Sequence, residues 1–242
     1  MVNINSPFRG LGGRAFLLIL LLLSSFCHAQ EATDTVRHEV LFETSKGNIR
    51  FVLYNETPKH RDAMLKHVSE GFYDGVLFHR VIKNFMIQAG DPDSKRAQPG
   101  MQIGEGSDKN MDVIPAEIVY PKYRHKRGAL AAARQGDDKN PNYDSSNSQF
   151  YFVYGRRSSE DEMYDAYFRN EKVFSKLPED VWENIKMYYM RNPGTPWLDG
   201  TYTVFGEILE GLEVVEAIQA MPTDKNSRPT EDVAIIKATV LK

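Results

Sequence analysis

The sequence is poor in the residue types that hold metals. Its only cysteine, Cys27, lies near the N-terminus, and its six histidines are scattered without metal-ligand spacing. No glycine-rich phosphate loop and no serine–histidine–aspartate arrangement stands out. A formal net charge of −3 and a pI near 6.1 give no reason to expect nucleic-acid binding. The sequence therefore predicts no metal, no cofactor and no nucleic-acid partner.

Long apolar runs are also absent, except for one at the N-terminus. Arg9 and Arg14 precede an apolar run over 15–23, and small residues follow up to Ala29. A basic start, a short apolar middle and a small residue at the end are typical of a secretory signal peptide. The run is too short to span a bilayer comfortably. We therefore predict a signal peptide at residues 1–29 and no transmembrane helix in the mature chain.

Removal of the leader has a consequence for the mature chain. Cleavage after Ala29 removes Cys27, and a cysteine-free chain suits an oxidising compartment because no thiol remains to mispair. We therefore expect an exported, periplasmic protein. The alternative is an envelope protein anchored by a lipid on Cys27, since a cysteine after an apolar run is lipidated in some bacterial proteins. The bulky Phe26 disfavours that alternative, because such processing prefers a small residue there.

The rest of the chain has the composition of one globular domain, with 41% apolar and 26% charged residues. We place this domain at 39–242, after a polar, flexible lead at 30–38. Thr57 and Pro58 predict the start of a helix, and Gly71 its end. Many short strands with two helices suggest a closed antiparallel barrel. The predicted strands are 40–44, 48–54, 76–81, one starting at 115–118, 149–154, 202–208 and 233–241, and the second helix follows Gly211 up to Ala220.

Residues 156–196 interrupt this pattern with a segment longer than most structureless loops. One helix is predicted from 159–162, and a second from Pro178 to the stop at Pro193 and Gly194. An apolar stripe on the second helix is expected to pack on the barrel or on the first inserted helix. The alternative is an added surface that binds unfolded chains. The stripe consists of Val181, Trp182, Ile185, Tyr188 and Tyr189.

One stretch, 78–91, carries the chemistry. Arg80 lies among apolar neighbours, where a guanidinium needs hydrogen-bond partners or contact with a cleft. Phe85, Met86 and Gln88 follow within a few residues. A fixed cation, a ring, a thioether and an amide could line a small apolar pocket that has a few aimed polar groups.

This stretch resembles the signature segment of the cyclophilins, the peptidyl-prolyl cis-trans isomerases that bind cyclosporin. Blocks at 128–134 and 147–152, and then at 197–200 and 204–208, resemble the family in the same order. The resemblance spans about 39–242, apart from the insertion at about 156–196, where the family has a short loop. It implies an eight-stranded closed barrel with a helix capping each end, and proline-containing polypeptides as substrates.

The resemblance also assigns a site, with Arg80 as the catalytic hydrogen-bond donor. Gln88 and Gln149 are implied to hold the substrate backbone, together with the main chain around Ala133 and Arg134. Many relatives have histidine at the position of Tyr202. The loop at 92–113 lacks the family's usual threonine–glycine run. The implied substrate-binding residues are Phe85, Met86, Gln88, Ala133, Arg134, Gln149, Tyr151, Trp197, Leu198 and Tyr202.

Each of these residues has an ordinary structural alternative. Taken singly, the apolar ones are usually plain core, and Arg80 could be the partner of a structural ion pair. His79 is interpreted as a buried histidine and not a base, because bond rotation moves no proton. For the whole chain the alternative function is a non-catalytic proline-peptide-binding module or chaperone, with the insertion supplying most of the binding. Arg80 argues against it, because binding alone needs no donor to a twisted nitrogen.

Overall fold

The computed structural model of the protein describes residues 36–98 and 100–241. The predicted signal peptide at 1–29, with Cys27, and residues 30–35 of the predicted lead lie outside this part. In the described ranges no helix is both long enough and apolar enough to cross a membrane.

The described residues form a single antiparallel sheet of eight strands, which confirms the mainly-β prediction. The order across the sheet is β3-β4-β6-β5-β7-β2-β1-β8. The hairpin predicted at 40–54 is present as the first two strands. The strands are β1 Glu39–Thr44, β2 Gly47–Leu53, β3 Arg80–Ile82, β4 Met86–Ala89, β5 Ala129–Ala132, β6 Phe150–Val153, β7 Val204–Glu210 and β8 Ile235–Val240.

The sheet is an open, curled half-barrel, so the expected full closure is not seen. Its two end strands, β3 and β8, do not pair with each other. The chain just before β3 approaches the other end of the sheet at a bridge between Leu77 and Ala234. Three backbone hydrogen bonds accompany it, from Gly75 N to the Ile235 oxygen, from Ile235 N to the Val76 oxygen and from Phe78 N to the Val233 oxygen. This contact lies before β3 in the chain and does not join β3 to β8.

Within 36–98 and 100–241, five helices accompany the sheet, and α1 and α5 pack directly on it. α1 contacts β8, and α5 contacts β2 and β4. α1 starts at Pro58 as predicted, although the Thr57 hydroxyl donates to the Tyr54 carbonyl and does not cap the helix. The sequence predicted a closed barrel with a helix capping each end. The open sheet does not confirm that arrangement. The helices are α1 Pro58–Ser69, α2 Glu160–Arg169, α3 Glu171–Phe174, α4 Glu179–Arg191 and α5 Leu212–Gln219, with 3₁₀ turns at Pro92–Arg96 and Pro196–Leu198.

The prediction that a strand starts at Pro115 is wrong. Only an isolated bridge joins Ile114 to Ser145 in this region. The Glu117 carboxylate instead accepts hydrogen bonds from the backbone N–H groups of Lys59 and His60 in the first turn of α1. A side chain therefore fixes this segment where a strand would have used its backbone.

The insertion contains the two predicted helices, α2 and α4, and a short third one that was not predicted. Ser159 caps α2, and Pro178 immediately precedes α4. Of the predicted stripe, Trp182, Ile185 and Tyr189 are buried, and the other two members are partly buried. They pack with residues of α2 and α3, as the core interpretation expected. This cluster consists of Met163, Phe174, Trp182, Ile185 and Tyr189.

The alternation of side chains along the strands separates the sheet into two faces. Phe150 and Phe152 of β6 point into the main core. Tyr151, between them, points to the opposite face, in a smaller cluster with Met86 and Ala131. The second face carries the candidate site.

Candidate functional site

The stretch singled out in the sequence folds as a hairpin of β3 and β4. Arg80 lies directly opposite Gln88, and Ile82 opposite Met86. Directly opposed residues share one face of a sheet. The hairpin therefore places the cation, the amide and the thioether side by side on the second face.

Phe85 lies in the turn of this hairpin, and the turn is held in place. Asn84 adopts a φ of 60°, and Phe85 N donates to the Ile82 carbonyl at 3.0 Å. The Phe85 carbonyl in turn accepts from the N–H groups of Tyr154 and Gly155, each at 2.9 Å. The end of β6 thereby fixes the position of the Phe85 ring.

These side chains open onto a cleft of about 150 Å³. Strand pairing brings Gln88 opposite Tyr151, and Tyr151 opposite Ala131 of β5, so that three strands form its base. The 3₁₀ turn that contains Leu198 forms another wall. Of the predicted site residues, all but Gln149 and Trp197 line this cleft: Arg80, Phe85, Met86, Gln88, Ala133, Arg134, Tyr151, Leu198 and Tyr202.

Arg80 is half-buried at the cleft, and it has no carboxylate partner among the described residues. Its Nη1 donates to Gln88 Oε1 at 3.2 Å, and its Cζ lies 5.9 Å from the centroid of the Phe85 ring. Burial lowers the pKa of Arg80, but an arginine pKa starts so high that the group stays charged at neutral pH. The structural ion pair weighed for Arg80 is therefore not found in the described ranges, and the remaining N–H groups of Arg80 can donate into the cleft.

Gln149 lies behind Gln88 and connects it to a loop. Gln88 Nε2 donates to Gln149 Oε1 at 2.9 Å. Gln149 Nε2 then donates to the carbonyls of Gly104 and Gly106, at 2.8 and 2.7 Å. Gln149 also lines a neighbouring, larger cleft of about 830 Å³. The structure thus places this amide where it orients Gln88; its predicted contact with substrate stays a prediction.

Arg134 and Tyr202 form the wall opposite the hairpin. Arg134 Nε donates to the Thr201 carbonyl at 2.8 Å, and its Cζ lies 4.1 Å from the centroid of the Tyr202 ring. The Arg134 side chain thus fixes the Tyr202 ring. The resemblance leads us to expect histidine at this position in many cyclophilins. Ala133 N donates to the Gln149 carbonyl, and the Ala133 carbonyl accepts from Ser146 N.

Trp197 borders the cleft without lining it. Its ring packs against Phe85, with 5.7 Å between the centroids. Its carbonyl accepts a hydrogen bond from Nδ2 of Asn170, between α2 and α3, at 2.8 Å. The insertion therefore supports this edge of the cleft from behind.

The base of the cleft rests on buried residues that the sequence reasoning missed. The Tyr151 hydroxyl lies 3.0 Å from Nε2 of His125, and Nδ1 of His125 lies 2.9 Å from Asp199 Oδ1. Asp199 Oδ2 accepts a hydrogen bond from the Tyr189 hydroxyl at 2.7 Å. A buried tyrosine hydroxyl usually needs a partner, which is the only sequence signal that could have prompted a search for His125.

His79 is buried beside the site, and desolvation lowers its pKa to about 4. It is therefore neutral at pH 7, in keeping with the interpretation that it is not a base. Among residues 36–98 and 100–241, no group of three or more histidine, cysteine, aspartate or glutamate side chains is placed to hold a metal ion.

The site thus combines an open antiparallel half-barrel with a small cleft in which a cation and an amide lie beside apolar side chains. Residues 39–240 match the family model described as cyclophilin type peptidyl-prolyl cis-trans isomerase/CLD. The chain belongs to this enzyme family.

Curated relatives agree with this assignment. The chain is 33% identical over 199 residues to a putative peptidyl-prolyl cis-trans isomerase of Staphylococcus haemolyticus, covering 81% of this chain and 88% of that one. It is 30% identical over 214 residues to the peptidyl-prolyl cis-trans isomerase CYP71 of Arabidopsis thaliana, covering 87% of this chain but 26% of that longer one.

A solved structure shares the fold. The cyclophilin type peptidyl-prolyl cis-trans isomerase of Cryptosporidium parvum superimposes with a TM-score of 0.61 at 23% identity, covering 86% of this chain and 99% of that one. The same protein crystallised in the presence of the dipeptide Ala-Pro gives a TM-score of 0.60 at 24% identity, covering 84% and 99%.

Proposed function

We propose that this isomerase accelerates Xaa-Pro rotation in exported polypeptides that are folding or unfolded, with Arg80 as the donor to the twisted bond. The observation that carries the proposal is the half-buried guanidinium of Arg80, which lies on the cleft without a carboxylate partner in the described chain. Slow Xaa-Pro isomerisation limits the folding of many proteins, so such chains are the expected substrates.

The mechanism needs neither a nucleophile nor a metal. Rotation crosses a barrier of roughly 18–20 kcal/mol because twisting breaks the amide resonance. In the twisted state the proline nitrogen regains a lone pair, to which an N–H group of Arg80 donates. The apolar slot formed by Phe85, Met86 and Leu198 holds the proline ring while the carbonyl turns. Binding the twisted form better than either planar form lowers the barrier.

The donor accounts for part of the expected acceleration. A hydrogen bond to a charged group is worth about 1.5–3 kcal/mol, which corresponds to about one to two decades in rate. Orientation by the slot and exclusion of water must supply the remainder. Gln88 holds the guanidinium with its carbonyl oxygen, and Gln149 holds Gln88.

Substitution of Arg80 tests the donor role. We expect Arg80→Ala to lower kcat/KM for a short Xaa-Pro peptide by about ten- to a hundredfold, because the donor is lost. The kcat/KM of Arg80→Lys should lie between those of the wild type and Arg80→Ala, since lysine keeps the charge but loses the planar fork. The exposed Arg157→Ala is the matched control. A change of less than about twofold in Arg80→Ala would contradict the donor role. Peptide binding without any wild-type turnover would favour the non-catalytic binding module.

Export of the chain is part of the same proposal. The basic start, the short apolar run and the small residue at Ala29 support it. Mass spectrometry of the protein purified from the periplasm should give a chain that starts at Gln30. A mass that includes Cys27 with attached acyl chains would instead establish the lipid-anchored alternative.

The insertion is proposed to contact unfolded clients. Phe168 on α2 is 69% exposed, and the neighbouring Tyr164 is 41% exposed. Exposed rings close together support a binding surface. The variant Phe168→Ser should slow the refolding of a proline-limited protein under catalysis, while turnover of a tetrapeptide stays unchanged. If Phe168→Ser and the wild type have equal rates with both substrates, the insertion has no such role.

A further inference from the structure

A line of buried hydrogen bonds joins the insertion to the base of the cleft. It runs from the Tyr189 hydroxyl on α4 to Asp199 Oδ2 at 2.7 Å, and from Asp199 Oδ1 to Nδ1 of His125 at 2.9 Å. It ends at the Tyr151 hydroxyl, 3.0 Å from Nε2 of His125. The exposed fractions of Tyr189, Asp199, His125 and Tyr151 are 0%, 0%, 0% and 4%. Water therefore does not compete for these bonds.

The direction of each bond follows from what each group can donate. The carboxylate oxygens of Asp199 accept hydrogen bonds from the Tyr189 hydroxyl and from the backbone N of His125, and Nδ1 of His125 lies within hydrogen-bond distance of Oδ1. We assign the imidazole proton to Nδ1, next to the carboxylate, which leaves the lone pair on Nε2. The Tyr151 hydroxyl consequently donates to Nε2. Burial raises the pKa of Tyr151 well above its usual value, so the phenol keeps its proton.

Residues at the end of the insertion pack closely against these hydrogen-bonded side chains. A Cβ on Gly194 would lie 2.4 Å from Cε1 of Tyr189 and 2.6 Å from the carbonyl oxygen of His125. Thr195 N donates to the same His125 carbonyl at 2.9 Å. His125 is therefore held by its backbone on one side and by Asp199 on the other. A shift of α4 would be transmitted to the imidazole through these contacts.

We propose that Tyr189, Asp199 and His125 are positioning residues for the isomerase cleft, and that the insertion sets the orientation of the Tyr151 ring through them. None of the three lines the cleft; each acts through Tyr151, which does. This inference rests on the proposed isomerase function. It gives the insertion a role in the reaction itself, separate from contact with clients.

Removal of one hydroxyl tests the proposal with little change in volume. Tyr189→Phe should lower kcat/KM for an Xaa-Pro tetrapeptide by about three- to tenfold in the folded protein. Tyr188→Phe, which removes a hydroxyl from the same helix outside the line, is the control and should stay within twofold. In a Tyr151→Phe background, Tyr189→Phe should have no further effect, because the route to the cleft is already broken.

Thermal unfolding and imidazole NMR separate the possible outcomes. A Tyr189→Phe variant that loses stability but keeps full kcat/KM at a temperature where it is folded would overturn the proposal. An equal loss in both backgrounds would overturn it as well. The ¹⁵N shifts of His125 should show the Nδ1–H tautomer, and the Nε2–H tautomer would contradict the assigned direction. A wild type without turnover would refute the isomerase function, whereas the NMR result would still report on the line.

Discussion

The two faces of the sheet differ although they share the same strands. On the core face, Phe150 and Phe152 pack against Phe42 and Phe51, with ring centroids 4.8–6.4 Å apart. On the cleft face, the intervening Tyr151 and its neighbours combine an apolar surface with hydrogen-bonding groups. One face is built for burial and the other for recognition.

The comparison shows how a strand of four residues can serve both purposes. Burial of the rings on one face stabilises the sheet, so the other face can carry a cation without a carboxylate partner. Arg80 loses solvation at the cleft, as the lowering of its pKa shows, and this costs free energy. The core face offsets that cost. Substitutions on the two faces should therefore separate stability from turnover.

The largest effect is expected on the core face. Phe152 is fully buried, so Phe152→Ala should destabilise the protein by about 3–5 kcal/mol through lost burial and a residual cavity. Urea unfolding measures the loss, and kcat/KM of the fraction that remains folded should stay within about twofold. A large fall in kcat/KM under conditions where the variant is fully folded would show that the core face also affects turnover.

Gly106→Ala should affect the cleft face and leave the core face nearly unchanged. A Cβ at Gly106 would lie 2.0 Å from Oδ1 of the buried Asp91, so the loop must move away. The movement would free the Gln149 amide, which donates to the Gly106 carbonyl, and disorder Gln88 in turn. We expect a fall of about tenfold in kcat/KM. Gly136→Ala, which meets only the exposed Asp138 side chain, is the control.

pH should separate stability from turnover in another way. The pKa of His79 is lowered to about 4 by burial, so the unfolded chain binds a proton near pH 6.5 that the folded chain does not. Stability is therefore complete above pH 6.5 and falls as the pH decreases towards 4. Between pH 7 and pH 5 we expect a loss of roughly 1–2 kcal/mol by urea unfolding.

Turnover of the folded protein should not follow this loss. Arg80 stays charged throughout, and rotation about the bond moves no proton. His79→Leu should reduce the pH dependence of stability in this range, and the burial-lowered pKa of His67 should leave a remainder. A kcat/KM that declines with a pKa near 6 in the folded state would show that a titrating group takes part in the reaction.

The part of the site that lies on one hairpin could be predicted from the sequence. Arg80, Phe85, Met86 and Gln88 are close along the chain, and strand pairing brings them together. The line from Tyr189 through Asp199 to His125 could not be predicted, because His125 and Asp199 are 74 positions apart and no local pattern links them.

The errors in the fold have similar causes. The segment after Ile114 has strand-like residues, but Glu117 uses its carboxylate on the backbone of α1, a contact that no pattern within the segment reveals. Closure of the sheet depends on how far the chain before β3 pairs with the chain before β8. Sequence alternation indicates that strands exist but does not set the length of such a ladder.

The smallest effect is expected for Tyr202→His, which introduces the residue that many cyclophilins are expected to have. The Tyr202 ring is held by the Arg134 guanidinium at 4.1 Å, and an imidazole can occupy the same face of that group. We expect kcat/KM to change by less than about threefold, and Tyr202→Ala to lose more because the wall of the cleft is then missing. A loss above tenfold in Tyr202→His would mean that the phenol hydroxyl contacts the substrate, and the cleft face would then contain a polar group specific to this chain.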